Sequence, residues 1–166
     1  MLSPKVLLAI GIGLLGGAAI GLIRPAAVNP GNKRAAVVKA AMGEVGSNDI
    51  QKYWSAAAPG ALIAKGTSWC GGFALWALKQ VGLATNIFWE FGKGFLYHLP
   101  ITHSPQPGDI AYVAQPYQHH AVVESANTDG TVNLINGNGE GGKVSLSKTP
   151  MSHVTAFYSI EPLIHV

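Results

Sequence analysis

After Asp109 the chain is a succession of short apolar runs, "DIAYVA", "HAVVES", "TVNLI", "KVSL" and "VTAFYSI", punctuated by turn-forming stretches such as "NTDG" and "NGNGEGG". Runs of this length and composition read as β-strands. The residues before them carry helical composition instead. Helices first and consecutive strands afterwards indicate an α+β domain, with N-terminal helices packed on an antiparallel β-sheet.

The helical part divides readily. "KRAAVVKAAMGEVG" stops naturally at Gly46, and "SNDIQKYW" begins a second helix with Ser47, Asn48 or Asp49 as its cap. "SAAAPGALIAKGTS" is a loop with at most a short helix. "TSWCGGFALWALKQVGL" is a third helix, apolar on nearly every face and ended by a left-handed glycine at Gly82. Residues 85–109 are aromatic, rich in glycine and proline, and without a period, which predicts a long surface connection.

Ahead of this domain, Lys5 is followed by "VLLAIGIGLLGGAAIGLI", residues 6–23, with no charge until Arg24. Eighteen apolar residues just suffice to span a bilayer core. A cleaved signal peptide is the competing reading, although its apolar core is usually shorter. Residues 1–24 are thus expected to be a transmembrane helix or signal anchor, 25–33 ("PAAVNPGNK") a linker, and 34–166 the folded domain.

Charge excludes several function classes. The net charge is +3, the lysines are scattered singly, and no basic run interleaved with aromatics offers a nucleic-acid surface. A single cysteine rules out an internal disulfide and any zinc-type cysteine spacing, so neither metal nor cofactor is expected.

That cysteine, Cys70, stands where the third helix begins. A helix amino terminus presents unpaired N–H groups and a partial positive charge, which stabilise a thiolate. Gly71 and Gly72 follow, each costing about 1 kcal/mol of helix stability against alanine. Their expected benefit is room for a substrate backbone over the helix start. The alternative is a structural thiol, because free cysteine is among the most buried residue types.

A thiol nucleophile needs a base, and six histidines are available. His98 and His103 lie in the irregular aromatic segment, His165 beside the terminus, and His153 ahead of a strand. His119 and His120 open the strand "HHAVVES", where a histidine is well placed to meet a helix start. Alternation puts His119 with Ala121 and Val123 on one face, and His120 with Val122 and Glu124 on the other. The small Ala121 would leave space for the cysteine helix and favours His119; a bulge would reverse the faces and favour His120. A metal site from this pair is not expected, since adjacent strand residues point apart. Asn136 and Asn138 end the following strand, where an asparagine amide can orient the imidazole or simply serve the glycine-rich turn.

Taken in order, "SWCGGFALWALKQVGL", "PQPGDIAYV", "HHAVVES" and "GTVNLINGN" resemble the CHAP family of cysteine, histidine-dependent amidohydrolases/peptidases, and the related NlpC-type cell-wall peptidases. The resemblance runs from about Val37 to the carboxyl terminus. It implies a papain-like α+β fold and hydrolysis of amide bonds in peptidoglycan stem peptides or cross-bridges. It places Cys70 at the nucleophile and His119 at the base, or His120 if the strand has lost one residue. Asn136 falls where an acid or asparagine orients the base, with Asn138 after it. Gly108 and Asp109 match a "PGD" turn. Trp69, Gly71, Tyr53 and Asn138 are candidates for the substrate-binding or oxyanion surface.

The expected function is therefore a peptidoglycan hydrolase whose domain lies outside the cytoplasm, tethered to the membrane, or a phage-virion component acting at the host envelope. A catalytically degenerate module that binds wall peptide or helps build a membrane channel is the alternative.

Overall fold

The computed structural model describes residues 29–60, 67–89 and 93–165. Three helices come first: α1 (Pro30–Met42), α2 (Ile50–Ala57) and α3 (Cys70–Gln80). Six strands follow: β1 (Ile101–Thr102), β2 (Ile110–Val113), β3 (His119–Ala126), β4 (Thr131–Asn136), β5 (Ser145–Pro150) and β6 (Ala156–Tyr158). A short helix, α4 (Glu161–Ile164), closes the chain. The strands form one antiparallel sheet in the order β1-β6-β2-β3-β4-β5. The fold is α+β, with helices on a sheet. Among the described residues no helix is long and apolar enough to cross a membrane. The apolar run at 6–23 lies outside the described residues.

Local chemistry explains the helix limits. Asp49 caps α2 by accepting the Lys52 backbone N–H at 3.1 Å. Gly82 ends α3 with φ +73°, the left-handed conformation that costs glycine nothing. Two expectations need correction. α1 begins at Pro30, inside the stretch expected as linker, because proline is well suited to a first helical turn. The connection at 85–109 does not simply run over the surface. A 3-10 turn at Gly94–His98 buries Phe95 and Leu96 completely, and Ile101–Thr102 adds an edge strand. One such turn is too short to show a period in the sequence.

The two faces of the sheet differ sharply. Ile110, Tyr112, Val122, Ile135 and Tyr158 point to the helices and join Val37, Tyr53, Trp69, Phe73 and Leu75 in the main core. Ala111, Ala121, Val123, Leu134 and Phe157 form a smaller cluster on the opposite face. Gly137 fits beneath α3 only because it lacks a side chain: a Cβ there would run into the Phe73 ring.

The "PGD" turn is a junction. Asp109 is 1% exposed, and its carboxylate accepts the Arg34 guanidinium at 2.7 Å, the Ile160 N–H at 3.0 Å and the Gln106 N–H at 2.8 Å. Arg34 also reaches Glu161 at 2.8 Å and the Pro107 carbonyl at 3.0 Å. Gly108, at φ +86°, leaves no room for a Cβ between Ile160 and the Arg34 backbone. One buried carboxylate thereby fastens α1, the entry to β2 and the entry to α4 together.

Candidate active site

Cys70 is the first residue of α3 and is 4% exposed. The glycines behind it do not form a lip for substrate, as expected from the sequence. A Cβ on Gly71 would collide with the Trp89 ring, whereas one on Gly72 would meet Trp54 at 3.4 Å, near ordinary contact. Gly71 admits the Trp89 ring against the helix start, so the bulk that fills the space comes from the protein itself.

The histidine doublet straddles β3. His120 lies on the helix-facing side with Val122, and its ring sits among Trp89, Phe95 and Tyr112 at centroid distances of 5.4, 5.9 and 5.2 Å. Its Nδ1 is 3.7 Å from the Cys70 sulfur. His119 lies on the opposite face with Ala121. The argument that the small Ala121 makes room for the cysteine helix therefore fails: the helices cover the Val122 face. His119 nevertheless interacts with Cys70, since the helix start lies at the mouth of the strand, where both neighbours reach it.

Asn136 shares His119's face, because Ala121 pairs with Asn136 across β3 and β4. His119 Nε2 and Asn136 Oδ1 are 3.0 Å apart. The Asn136 amide nitrogen donates to Ser147 Oγ at 3.0 Å and to the Ser145 carbonyl at 3.3 Å. Those acceptors fix the amide so that its oxygen faces the ring, which makes Nε2–H the donor. Nδ1 is then the nitrogen left for the sulfur.

The electrostatics favour a thiolate. Burial pushes the Cys70 thiol up, but hydrogen bonding to His119 and then His120, with the field of both rings, outweighs it and brings the thiol down to about 5. Burial also pulls His119 down, yet its interactions with Cys70 and Asn136 leave it above the usual histidine value. Alkylation of Cys70 by iodoacetamide is accordingly expected to rise through a midpoint near pH 5 and to be close to its plateau by pH 7. A midpoint near the ordinary thiol value of about 8.5 would show that the histidines do not hold a thiolate.

The remaining candidates divide. Asn138, at φ +53°, turns toward the site and places its amide 3.5 Å from Ser68 Oγ. Tyr53 does not serve the site: its hydroxyl is taken by Glu44 and Ser47 at 2.8 Å each, and it is fully buried. Trp69 is also core, stacked on Tyr53 at 5.0 Å and 1% exposed. Both were expected at the substrate or oxyanion surface. Both are buried because aromatic area of this size is drawn into the core, even at Trp69, next to the cysteine in sequence.

Sequence reasoning missed Ser68, Gln118 and Trp89. Ser68 Oγ lies 3.5 Å from the sulfur. A groove of about 490 Å³ runs past His119, Ser68, Asn138, Tyr117 and Gln118. A smaller cavity of about 90 Å³ lies on the other side, between Cys70, Gly71, Trp89 and His120. Ser68 and Gln118 border both. The only local signal for Ser68 was its position two residues ahead of the cysteine. Among the described residues no group of three or more His, Cys, Asp or Glu side chains is placed to hold a metal ion.

Residues 62–138 match the family model of the CHAP domain, and the matched span includes Cys70, both histidines, Asn136 and Asn138. This stretch is assigned to the CHAP domain. CHAP domains are generally cysteine- and histidine-dependent amidohydrolases, and the match points to a peptidoglycan-hydrolase-like amidase or peptidase activity. No curated protein and no solved structure gives a significant match to the chain. The CHAP match is narrower than the resemblance read from about Val37 onward. It leaves out α1, α2 and the last two strands, although β6 pairs with β2 within one continuous sheet.

Proposed function

We propose that this CHAP domain is a cysteine peptidase or amidase that cleaves amide bonds in peptidoglycan stem peptides or cross-bridges. The observation that carries the reading is the Cys70 sulfur at a helix start beside the histidine pair of β3, 3.7 Å from His120 Nδ1, with His119 held by Asn136 of the adjacent strand at 3.0 Å. Cys70 thiolate attacks the amide carbonyl and forms a carbon–sulfur bond. His119 then gives its proton to the nitrogen as the carbon–nitrogen bond breaks. The same ring next takes a proton from water, whose oxygen attacks the thioester and releases the acid and the thiol. Asn136 holds the imidazole orientation throughout. The Cys70 backbone N–H and the Ser68 hydroxyl donate to the developing oxyanion.

The pH dependence follows in sign. The active pair is thiolate plus imidazolium, so activity is lost as pH falls through about 5 and Cys70 takes a proton. It is lost again as pH rises through the elevated His119 value and the leaving nitrogen no longer receives one.

Residues 34–166 are the working domain in this reading, and the apolar run at 6–23 supports a tether that keeps it outside the cytoplasm, where the substrate lies. A phage particle acting at a host envelope meets the same requirement. The full chain incubated with purified peptidoglycan is expected to release soluble peptides, and Cys70→Ala to release none. Equal release by both proteins would overturn the proposal.

A further inference from the structure

One nitrogen beside the nucleophile has no partner. His120 is 2% exposed, and its Nε2 is buried without a hydrogen bond, while Nδ1 lies 3.7 Å from the Cys70 sulfur. The rings of Trp89, Phe95 and Tyr112 surround it. A buried N–H without an acceptor costs the full desolvation of that group. A proton on Nε2 would be stranded in this way. On Nδ1 the proton faces an acceptor, the sulfur, and Nε2 keeps only a bare lone pair. The arrangement differs from that of His119, whose Nε2–H is held by Asn136 and whose other nitrogen is left free to accept.

We propose that His120 is a second partner of the nucleophile, a fixed Nδ1–H donor that holds the Cys70 thiolate from the helix side while His119 alone shuttles protons from the open side. This rests on Cys70 being the nucleophile. His120 does not serve as the base in this arrangement, because Nδ1 presents its proton to the sulfur and Nε2 is buried among the aromatic rings. Among the described residues, the titratable groups packed against His120 are Cys70 from α3 and Tyr112 from β2, with His119 its strand neighbour on the opposite face. Lys93 lies beyond them, its Nζ 5.2 Å over the Tyr112 ring. The Trp89 and Phe95 walls carry no charge. Hydrogen bonds to an ionised acceptor are roughly twice as strong as neutral ones, so a donor on each side keeps the sulfur ionised in the resting site.

Two measurements on the full chain test this. In histidine labelled with ¹⁵N, His120 is expected to show a protonated Nδ1 and an unprotonated Nε2; the reverse pattern would overturn the proposal. Iodoacetamide rates are unambiguous because Cys70 is the only cysteine. At pH 5.5, His120→Leu is expected to react about tenfold more slowly than wild type, the effect of losing one charge-assisted hydrogen bond. His120→Asn, which keeps a donor near the Nδ1 position, is expected to recover most of that rate. Unchanged alkylation in His120→Leu, with a reactive wild type, would overturn the role of His120 and leave the nucleophile standing. A wild-type Cys70 reacting like an ordinary thiol would overturn both. Should His120→Leu fail to fold, the nitrogen pattern of the wild type decides.

Discussion

His119→Ala is expected to lower peptidoglycan hydrolysis by on the order of 10²–10⁴-fold, the usual contribution of a positioned acid–base group. The domain should remain folded. His119 is half-buried on the face of the sheet opposite the helices, and its ring engages Asn136 and Cys70 rather than the main core. The contrast with its neighbour sharpens the expectation. His120→Leu weakens the thiolate but leaves the proton shuttle in place, so its loss should be smaller and should shrink as pH rises above the new thiol value. His119→Ala offers no such recovery in this account, because the proton donor to the leaving nitrogen is gone and His120 keeps its proton toward the sulfur. Hydrolysis rates of the two variants between pH 5 and 9, set beside far-UV circular dichroism, separate these outcomes. Equal losses with parallel pH profiles would mean that the two rings do not divide the work.

The largest effect on stability is expected at Asp109, far from the chemistry. Asp109→Ala removes the acceptor for Arg34, for the Ile160 N–H and for the Gln106 N–H at once. It leaves a guanidinium only 12% exposed, with Glu161 as its remaining carboxylate partner. Breaking a buried pair from one side costs about 3–5 kcal/mol, against a total stability of about 5–15 kcal/mol for a domain. The thermal midpoint should therefore fall by more than about 10 °C. Asp109→Asn retains an oxygen for the backbone donors and loses the ion pair, so its midpoint should lie between the two. A loss of only one or two degrees in Asp109→Ala would show that the junction of α1, β2 and α4 is held by apolar contacts instead.

Much of this architecture was legible because it rests on short-range rules. The strand runs after Asp109, the Asp49 cap and the Gly82 stop are all consequences of periodicity and backbone freedom. The site was legible in outline for the same reason: a cysteine at a helix start, histidines at a strand mouth and asparagines at the end of the next strand are brought together by simple antiparallel order. Face assignment was less secure. The small Ala121 suggested where the helix lies, yet the large residues Val122 and Ile135 mark the helix-facing side, because the main core needs their volume. Trp89 was illegible. It lies 18 positions after Gly71 in an aperiodic segment, and only the folded chain brings its ring onto that glycine. The role of Trp69 was misjudged because sequence proximity to Cys70 says nothing about which way a side chain points at the start of a helix, and that of Tyr53 because the sequence does not show that Glu44 and Ser47 take its hydroxyl.

The central claim is that this domain cuts amide bonds through a thioester on Cys70. Mass spectrometry of the fragments released from peptidoglycan of defined structure tests it most directly. Each cut should yield one new amino group and one new carboxyl group, and digestion in ¹⁸O-water should place a single ¹⁸O in that carboxyl. Cys70→Ala should yield neither. New reducing sugar ends, or the same peptide fragments from Cys70→Ala, would contradict the account.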